Sequence, residues 1–247
     1  MPEANPAAQF AYYRRQAAWT AGLRAHLYRL AAVGTRERAL DVGCGDGWLT
    51  AELAGKVRRE AVGCDIDEAA LDAARAAQPS LEFVRSQPAA LPFADGAFDF
   101  VACHFTLLWA ADPVALLREM KRVAAPGGAV VWFAEPDWDG YIEWPDFGLR
   151  ELICAALAAR GADPLAGRKL ADWAARAGLE PAVGLTGGPW RPAPGDLDAL
   201  WEHHHRLLDG FANERRLRVT ERQERRAWAD GSRSIHLPLG WGWAAKK

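Results

Sequence analysis

Cysteine is scarce and scattered: Cys44, Cys64, Cys103 and Cys154 lie far apart, and no C-x-x-C pair occurs. That spacing argues against a disulfide framework and against a cysteine-based zinc site. It fits free thiols in a reducing compartment, so a cytoplasmic protein is expected. Long apolar runs are missing as well. None reaches the roughly 18 residues a membrane span needs. Met1 to Pro6 has neither the basic start nor the apolar stretch of a signal peptide, so none is expected. A charge excess is also lacking. The formal net charge of −2 gives no global pull toward nucleic acid or an anionic membrane.

What is present is an ordinary globular composition. Of 247 residues, 50% are hydrophobic and 25% charged, enough for one α/β domain with a large core. No low-complexity linker or internal repeat divides the chain, so a single domain over 1–247 is expected. Short apolar runs alternate with amphipathic stretches. Strands are expected at Arg38–Val42, Ala61–Cys64, Leu81–Val84, Phe98–His104 and Ala129–Phe133. Helices are expected at Gln9–Leu30, Trp48–Val57, Glu68–Ala77 and Pro113–Val123, the last with Asp112 as N-cap and proline in its first turn. This alternation predicts a parallel sheet covered on both faces, with a ligand crevice at the carboxyl ends of the strands.

The segment Asp41-Val42-Gly43-Cys44-Gly45-Asp46-Gly47-Trp48 carries the strongest chemical signal. An apolar strand ends in a carboxylate, and glycine then falls at every second position. Glycine tolerates positive φ and lets backbone approach a ligand, and the helix that follows points its N-terminus into the crevice. A dinucleotide fold wants G-x-G-x-x-G, but Trp48 stands where the last glycine belongs. Asp41 would repel a phosphate and suits a ligand bearing an ammonium and a sulfonium. Asp65 closes the next strand, where a carboxylate can accept two hydrogen bonds from a ribose diol. Ile66 offers an apolar face for adenine. Gln87 and Pro88 precede the run Ala90-Leu91-Pro92-Phe93. His104 follows the fourth strand at the mouth of the crevice. It is a candidate general base, a hydrogen-bond donor to substrate, or a polar group that caps the strand.

These segments resemble the class I S-adenosylmethionine-dependent methyltransferases, of the type 11/25 kind, whose first motif reads acid-x-G-x-G-x-G. The run Ala90-Leu91-Pro92-Phe93-Ala94-Asp95-Gly96-Ala97-Phe98-Asp99 is similar to the family's A-L-P-F-x-D-x-x-F-D. Leu117 to Gly128 resembles its L-x-E-x-x-R-V-L-K-P-G-G. Where Gln87 stands the family usually places an aspartate that accepts from the adenine amino group, a bond the Gln87 amide oxygen can also accept. The resemblance covers about Ala39 to Pro136. It implies a doubly wound, mostly parallel seven-stranded sheet with helices on both faces and an elaborated C-terminal part. Residues 1–34 would form a helical cap, 35–136 the cofactor core and 137–247 the acceptor-pocket elements. The implied cofactor is S-adenosyl-L-methionine, held by Asp41, Gly43, Gly45, Gly47, Asp65, Ile66, Gln87, Pro88 and His104. The implied reaction is methyl transfer to a small-molecule O, N or C nucleophile. His104 is the catalytic candidate, and Glu135 and Asp137 are further possible bases. A nicotinamide-dependent oxidoreductase and a non-catalytic cofactor-binding protein are the competing readings.

Nine of the twelve tryptophans fall at or after Trp132, and Trp138, Tyr141 and Trp144 are candidates for an acceptor-pocket wall. Tyr12, Tyr13, Arg14 and Arg15 are placed to close over the cofactor. His203-His204-His205 cannot converge on one ion, because adjacent helical residues point about 100° apart, so no metal is expected. The arginine-rich stretch Glu214–Arg226 is interleaved with glutamates and reads as a salt-bridged helix, not a nucleic-acid surface.

Overall fold

The computed structural model describes residues 14–187, 193 and 195–247. Tyr12 and Tyr13 lie outside them. The first four crossovers build five parallel strands: β1 (Arg38–Val42), β2 (Glu60–Asp65), β3 (Glu82–Arg85), β4 (Phe98–Cys103) and β5 (Ala124–Pro136). Further strands are β6 (Ile142–Trp144), β7 (Ala182–Thr186), β8 (Ser234–His236) and β9 (Leu239–Ala245). The main sheet has seven strands in the order β3-β2-β1-β4-β5-β9-β7, and β6 and β8 form a separate ribbon. β9 runs antiparallel to both β5 and β7.

Helices cover both faces, because side chains on each strand alternate between them. α1 (14–19) and α2 (Ala21–Leu30) precede β1, and α3 (Trp48–Ala54) and α4 (Glu68–Ala77) follow β1 and β2. Leu27 and Tyr28 of α2 and Leu49 and Leu53 of α3 bury the face that carries Ala39, Phe100, Val131 and Phe133. The opposite face carries Leu40, Val101, Val130 and Trp132. It is covered by α5 (Pro113–Val123), α6 (Leu149–Ala159), α7 (Ala166–Arg176) and α8 (Asp196–Leu207), with α9 (Glu214–Ala229) outside α8. Asp67 and Asp112 cap α4 and α5 by accepting from Ala69 N and Ala115 N, each at 2.9 Å.

The chain ends in two strands, not one. Ser234–His236 pairs with β6 in the ribbon, and Leu239–Ala245 enters the main sheet. In Leu239-Gly240-Trp241-Gly242-Trp243 the glycines face α7 and the Trp132 indole. A Cβ on Gly240 would sit 2.3 Å from the Gly167 carbonyl oxygen, and one on Gly242 would sit 2.6 Å from Trp132. Only glycine admits that approach, and glycine in turn hides the strand from a propensity reading.

Candidate active site

The strand order reverses between β1 and β4, which opens a crevice at the carboxyl ends of both. There the chain encloses a cavity of about 1000 Å³. That lies at the upper end of the range for small-molecule sites and leaves room for two ligands side by side.

The glycine turn forms one end. Gly43, Gly45 and Gly47 have φ of +73°, +53° and +78°. Cβ atoms on Gly43 and Gly47 would collide with Thr106 at 2.5 Å and Phe83 at 2.7 Å, whereas one on Gly45 would meet nothing within 4 Å. Packing therefore requires glycine at 43 and 47; Gly43 and Gly45 line the cavity and Gly47 does not, and Gly45 leaves open space beside it. Asp65 ties the turn to β2: Oδ2 accepts from Gly45 N at 2.8 Å and Oδ1 from Asp67 N at 3.0 Å. Ile66 stays 49% exposed at the rim, and Ser86 and Pro88 line the wall beyond it.

Asp41 stands apart from the contact role expected of it. It is not among the residues that line the cavity. Its side chain lies beneath the turn, where Thr50 Oγ1 donates to Oδ2 at 2.7 Å and Oδ1 has no partner. Burial, with Asp65 nearby, pushes its carboxyl up to about 7. Gln87 also departs from expectation: it is exposed and its neighbours Ser86 and Pro88 face the cavity instead.

A carboxylate that the sequence reading passed over, Asp46, does line the cavity. It is buried, Arg14 Nε donates to its Oδ2 at 2.8 Å, and Oδ1 has no partner among the described residues. Together with an ion pair from Arg15 to Asp196 at 2.7 Å, this latches α1 across the cavity, where Gln16, Trp19 and Thr20 become wall residues.

His104 lines the cavity between the two ends. Its Nε2 lies 2.9 Å from Thr20 Oγ1, and its ring meets Trp48 edge-on at 5.1 Å. Thr20 is itself held by Arg24 Nη1 at 2.7 Å, and Arg24 lies over the Trp48 ring at 4.7 Å. Loss of water and the Arg24 charge push the imidazole down to about 3, so it is neutral near pH 7. That is far from the value a general base at that pH needs. Glu135 and Asp137 do not line the cavity. Glu135 is wholly buried and accepts from Thr106 N and Leu107 N at 2.8 Å and from Leu108 N at 3.1 Å. Burial raises its carboxyl to about 7 against the pull of those three donors. It caps the loop after β4, where Phe105 holds a φ of +52°. Asp137 accepts from Arg168 Nε at 2.7 Å and from Gly140 N.

The far end is built from the C-terminal part. Trp138 and Tyr141 line it, whereas Trp144 is 68% exposed and does not. The three consecutive histidines diverge. His203 and His204 face the cavity, and His205 pairs with Glu221 at 2.9 Å. In α9, Arg218 pairs with Glu214 and Arg225 with Glu221.

The family model of the methyltransferase domain matches residues 40–132, the segment that holds the glycine turn, Asp65 and His104. A demethylmenaquinone methyltransferase from Beutenbergia cavernae is 32% identical over 182 residues, covering 69% of this chain and 75% of that protein. The chain belongs to the class I S-adenosylmethionine-dependent methyltransferases. Solved structures agree on the fold. The Bacillus halodurans C-125 protein BH2331 superposes with a TM-score of 0.62 at 18% identity, over 90% of this chain and 97% of that one. A geranyl diphosphate methyltransferase in complex with S-adenosylmethionine gives 0.61 at 15% identity, over 100% and 93%. The methyltransferase uses S-adenosylmethionine as its cofactor and transfers a methyl group from it. The site chemistry fits that donor: carboxylates and an open glycine turn gather at one end of the cavity, and the donor is a cation.

Proposed function

We propose that the cavity binds S-adenosylmethionine at the glycine turn and a small-molecule acceptor in the space beyond His104. The observation that carries this reading is the placement of Asp46, Asp65 and Asp67 at one end of a cavity large enough for two ligands. Asp65 keeps an acceptor lone pair on each oxygen beyond the backbone bonds it already takes, which suits a ribose diol. Ile66 and Pro88 offer apolar surface to an adenine ring. The free Oδ1 of Asp46 suits an ammonium group. Gly45 lets the backbone come close to the ligand. Asp41 acts through the turn it supports, not by contact.

When bound, the cofactor supplies a methyl group already activated on a sulfonium. The protein's share is then positioning and exclusion of water. α1 covers the crevice through Gln16, Trp19 and Thr20, latched by the Arg14–Asp46 pair. His104, neutral and fixed by Thr20, orients the acceptor by hydrogen bonding instead of removing its proton. The described helices hold no segment long and apolar enough to cross a membrane. With four free cysteines, the chain reads as a cytoplasmic enzyme.

Asp65→Ala is expected to weaken binding of S-adenosylhomocysteine by about 1–3 kcal/mol, the size of a lost set of charged hydrogen bonds. Isothermal titration measures it, and unchanged affinity removes the ribose assignment. In the same experiment NAD should not bind; binding of NAD in place of S-adenosylhomocysteine would favour an oxidoreductase. His104→Ala should leave that affinity near wild type and lower kcat by about 1–3 kcal/mol, roughly 5- to 150-fold. The wild-type pH–rate profile should show no limb from this histidine near 6.5, because its proton is lost at about 3. Normal turnover in the variant would reduce His104 to a structural residue.

A further inference from the structure

Charge is divided along the cavity. The carboxylates among its described lining residues, Asp46, Asp65 and Asp67, all lie at the glycine-turn end. The basic side chains lie elsewhere. Arg160 follows α6, and His203, His204 and Arg206 occupy the last turns of α8. No aspartate or glutamate accompanies them among the described lining residues. The far end is therefore cationic through Arg160 and Arg206, while burial pushes the His203 and His204 imidazoles down to about 3 and about 4, so both are neutral near pH 7. It is otherwise walled by Leu157, Leu200, Leu207, Ile235 and Leu237.

Two of these side chains have hydrogen-bonding capacity that no described residue uses. Arg206 Nη1 donates to Glu202 Oε1 at 3.1 Å, while Nη2 is buried without a partner. His204 is 4% exposed and its Nδ1 is also unpartnered. Arg160 Nη2 donates to the Arg206 carbonyl oxygen at 3.3 Å, which sets the Arg160 guanidinium against the end of α8, and both residues line the cavity. A buried polar atom with no partner is costly, and a guanidinium fork matches the two oxygens of a carboxylate or phosphate. Apolar walls with one cationic corner call for a ligand of the complementary design.

We propose that the methyl acceptor is an anionic amphiphile: a largely apolar small molecule whose carboxylate or phosphate is gripped by Arg206, with Arg160 and His204 beside it. The proposal rests on the methyltransferase reading of the same cavity. The anionic group anchors the acceptor at the end away from Asp46 and Asp65, so the atom to be methylated lies along the apolar body, toward His104. A cationic acceptor would be repelled by the two arginines, and a neutral one would leave their charge without a complement.

The test uses the full chain saturated with S-adenosylhomocysteine, titrated with decanoate, decyl phosphate, decanol and decylamine below their aggregation limits. At least one of the two anions should bind about tenfold or more tightly than decanol, a gap of ~1.4 kcal/mol. Decylamine should be the weakest. The better anion tells carboxylate from phosphate recognition. Arg206→Met should abolish the anion's advantage, and Arg206→Lys should keep the preference at reduced affinity. Both should leave S-adenosylhomocysteine binding unchanged. Equal binding of decanol and both anions overturns the proposal, as does a preference for decylamine or an anion preference that survives Arg206→Met. Failure of the wild-type chain to bind S-adenosylhomocysteine would instead overturn the cofactor reading, and this inference with it.

Discussion

Arg233→Met is expected to destabilise the fold by about 3–5 kcal/mol, the cost of removing one partner from a buried ion pair. For a chain of this size that is a fall in melting temperature of roughly 6–20 °C. The Arg233 side chain is wholly buried, and so, nearly, are the two glutamates it binds. Nη2 donates to Glu224 Oε1 and Glu143 Oε2, each at 2.7 Å, and Nη1 donates to the Pro145 carbonyl at 2.8 Å. Glu143 in turn accepts from Leu149 N at the start of α6. One guanidinium thus joins α9, the β6–β8 ribbon and α6. Without it two buried carboxylates lose their counter-charge.

The pH dependence of that loss follows from Glu224. Burial already holds its carboxyl above the ordinary range despite the arginine. Removing the arginine raises it further. A carboxyl whose folded value exceeds its unfolded one destabilises the fold increasingly as pH rises through the folded value, and not below the unfolded value. The deficit of Arg233→Met should therefore shrink as pH is lowered from 8 toward 5, and Glu224→Gln in the same chain should restore part of the stability at pH 8. Denaturant titrations across that range decide the matter. A loss under about 1 kcal/mol, or one flat in pH, would show that the cluster is not the anchor its geometry indicates. Tyr141 and Ile235 line the cavity beside this cluster, so acceptor affinity should suffer more than cofactor affinity.

The second large effect separates two neighbouring glycines. Gly45→Ala should cost about 1–2 kcal/mol of stability, the strain of a side chain in the left-handed region. Its new methyl touches no protein atom within 4 Å. It should nevertheless weaken S-adenosylhomocysteine by about 1–3 kcal/mol, roughly 5- to 150-fold, because it enters space the ligand needs. Gly43→Ala should behave in the opposite sense. Its methyl would lie 2.5 Å from Thr106, so overpacking adds to strain and the stability loss rises to about 2–5 kcal/mol. Paired unfolding and binding measurements test both. Wild-type cofactor affinity in Gly45→Ala would mean the turn is not the point of ligand approach.

The parallel half of the fold was legible because its local signals agree. The Asp67 and Asp112 caps and the apolar stripes bound α4 and α5 at the residues expected. Of the residues expected to hold the cofactor, Gly43, Gly45, Asp65, Ile66, Pro88 and His104 line the cavity, whereas Asp41, Gly47 and Gln87 do not, and strand parity accounts for Asp41. Asp41 shares a face with Ala39, the face α3 covers, so its carboxylate meets Thr50 and not the crevice. Beyond β3 the chain turns Ser86 and Pro88 inward and Gln87 outward, and a motif's spacing carries no record of that rotation. Glu135 looked like a base because acidity is visible in a sequence; the three backbone N–H groups that occupy it are not. Asp46 carries no signal of its own in the sequence, because it sits between two glycines that already account for the turn. Nothing local joins His203, His204 and Arg206 to the cavity: the packing of α8 does so.

The place of β9 between β5 and β7 also sets an order of assembly. During synthesis β1 to β5 and their crossover helices can pair as each emerges, since every strand finds a neighbour already made. β7 cannot: its partner in the sheet is a strand more than fifty residues later in the chain. Until Leu239–Ala245 leaves the ribosome, β5 presents an unpaired edge flanked by Trp132 and Phe133, the kind of edge that recruits foreign strands. The late place of β9 in the chain thus decides how long a nascent chain stays vulnerable to misassembly.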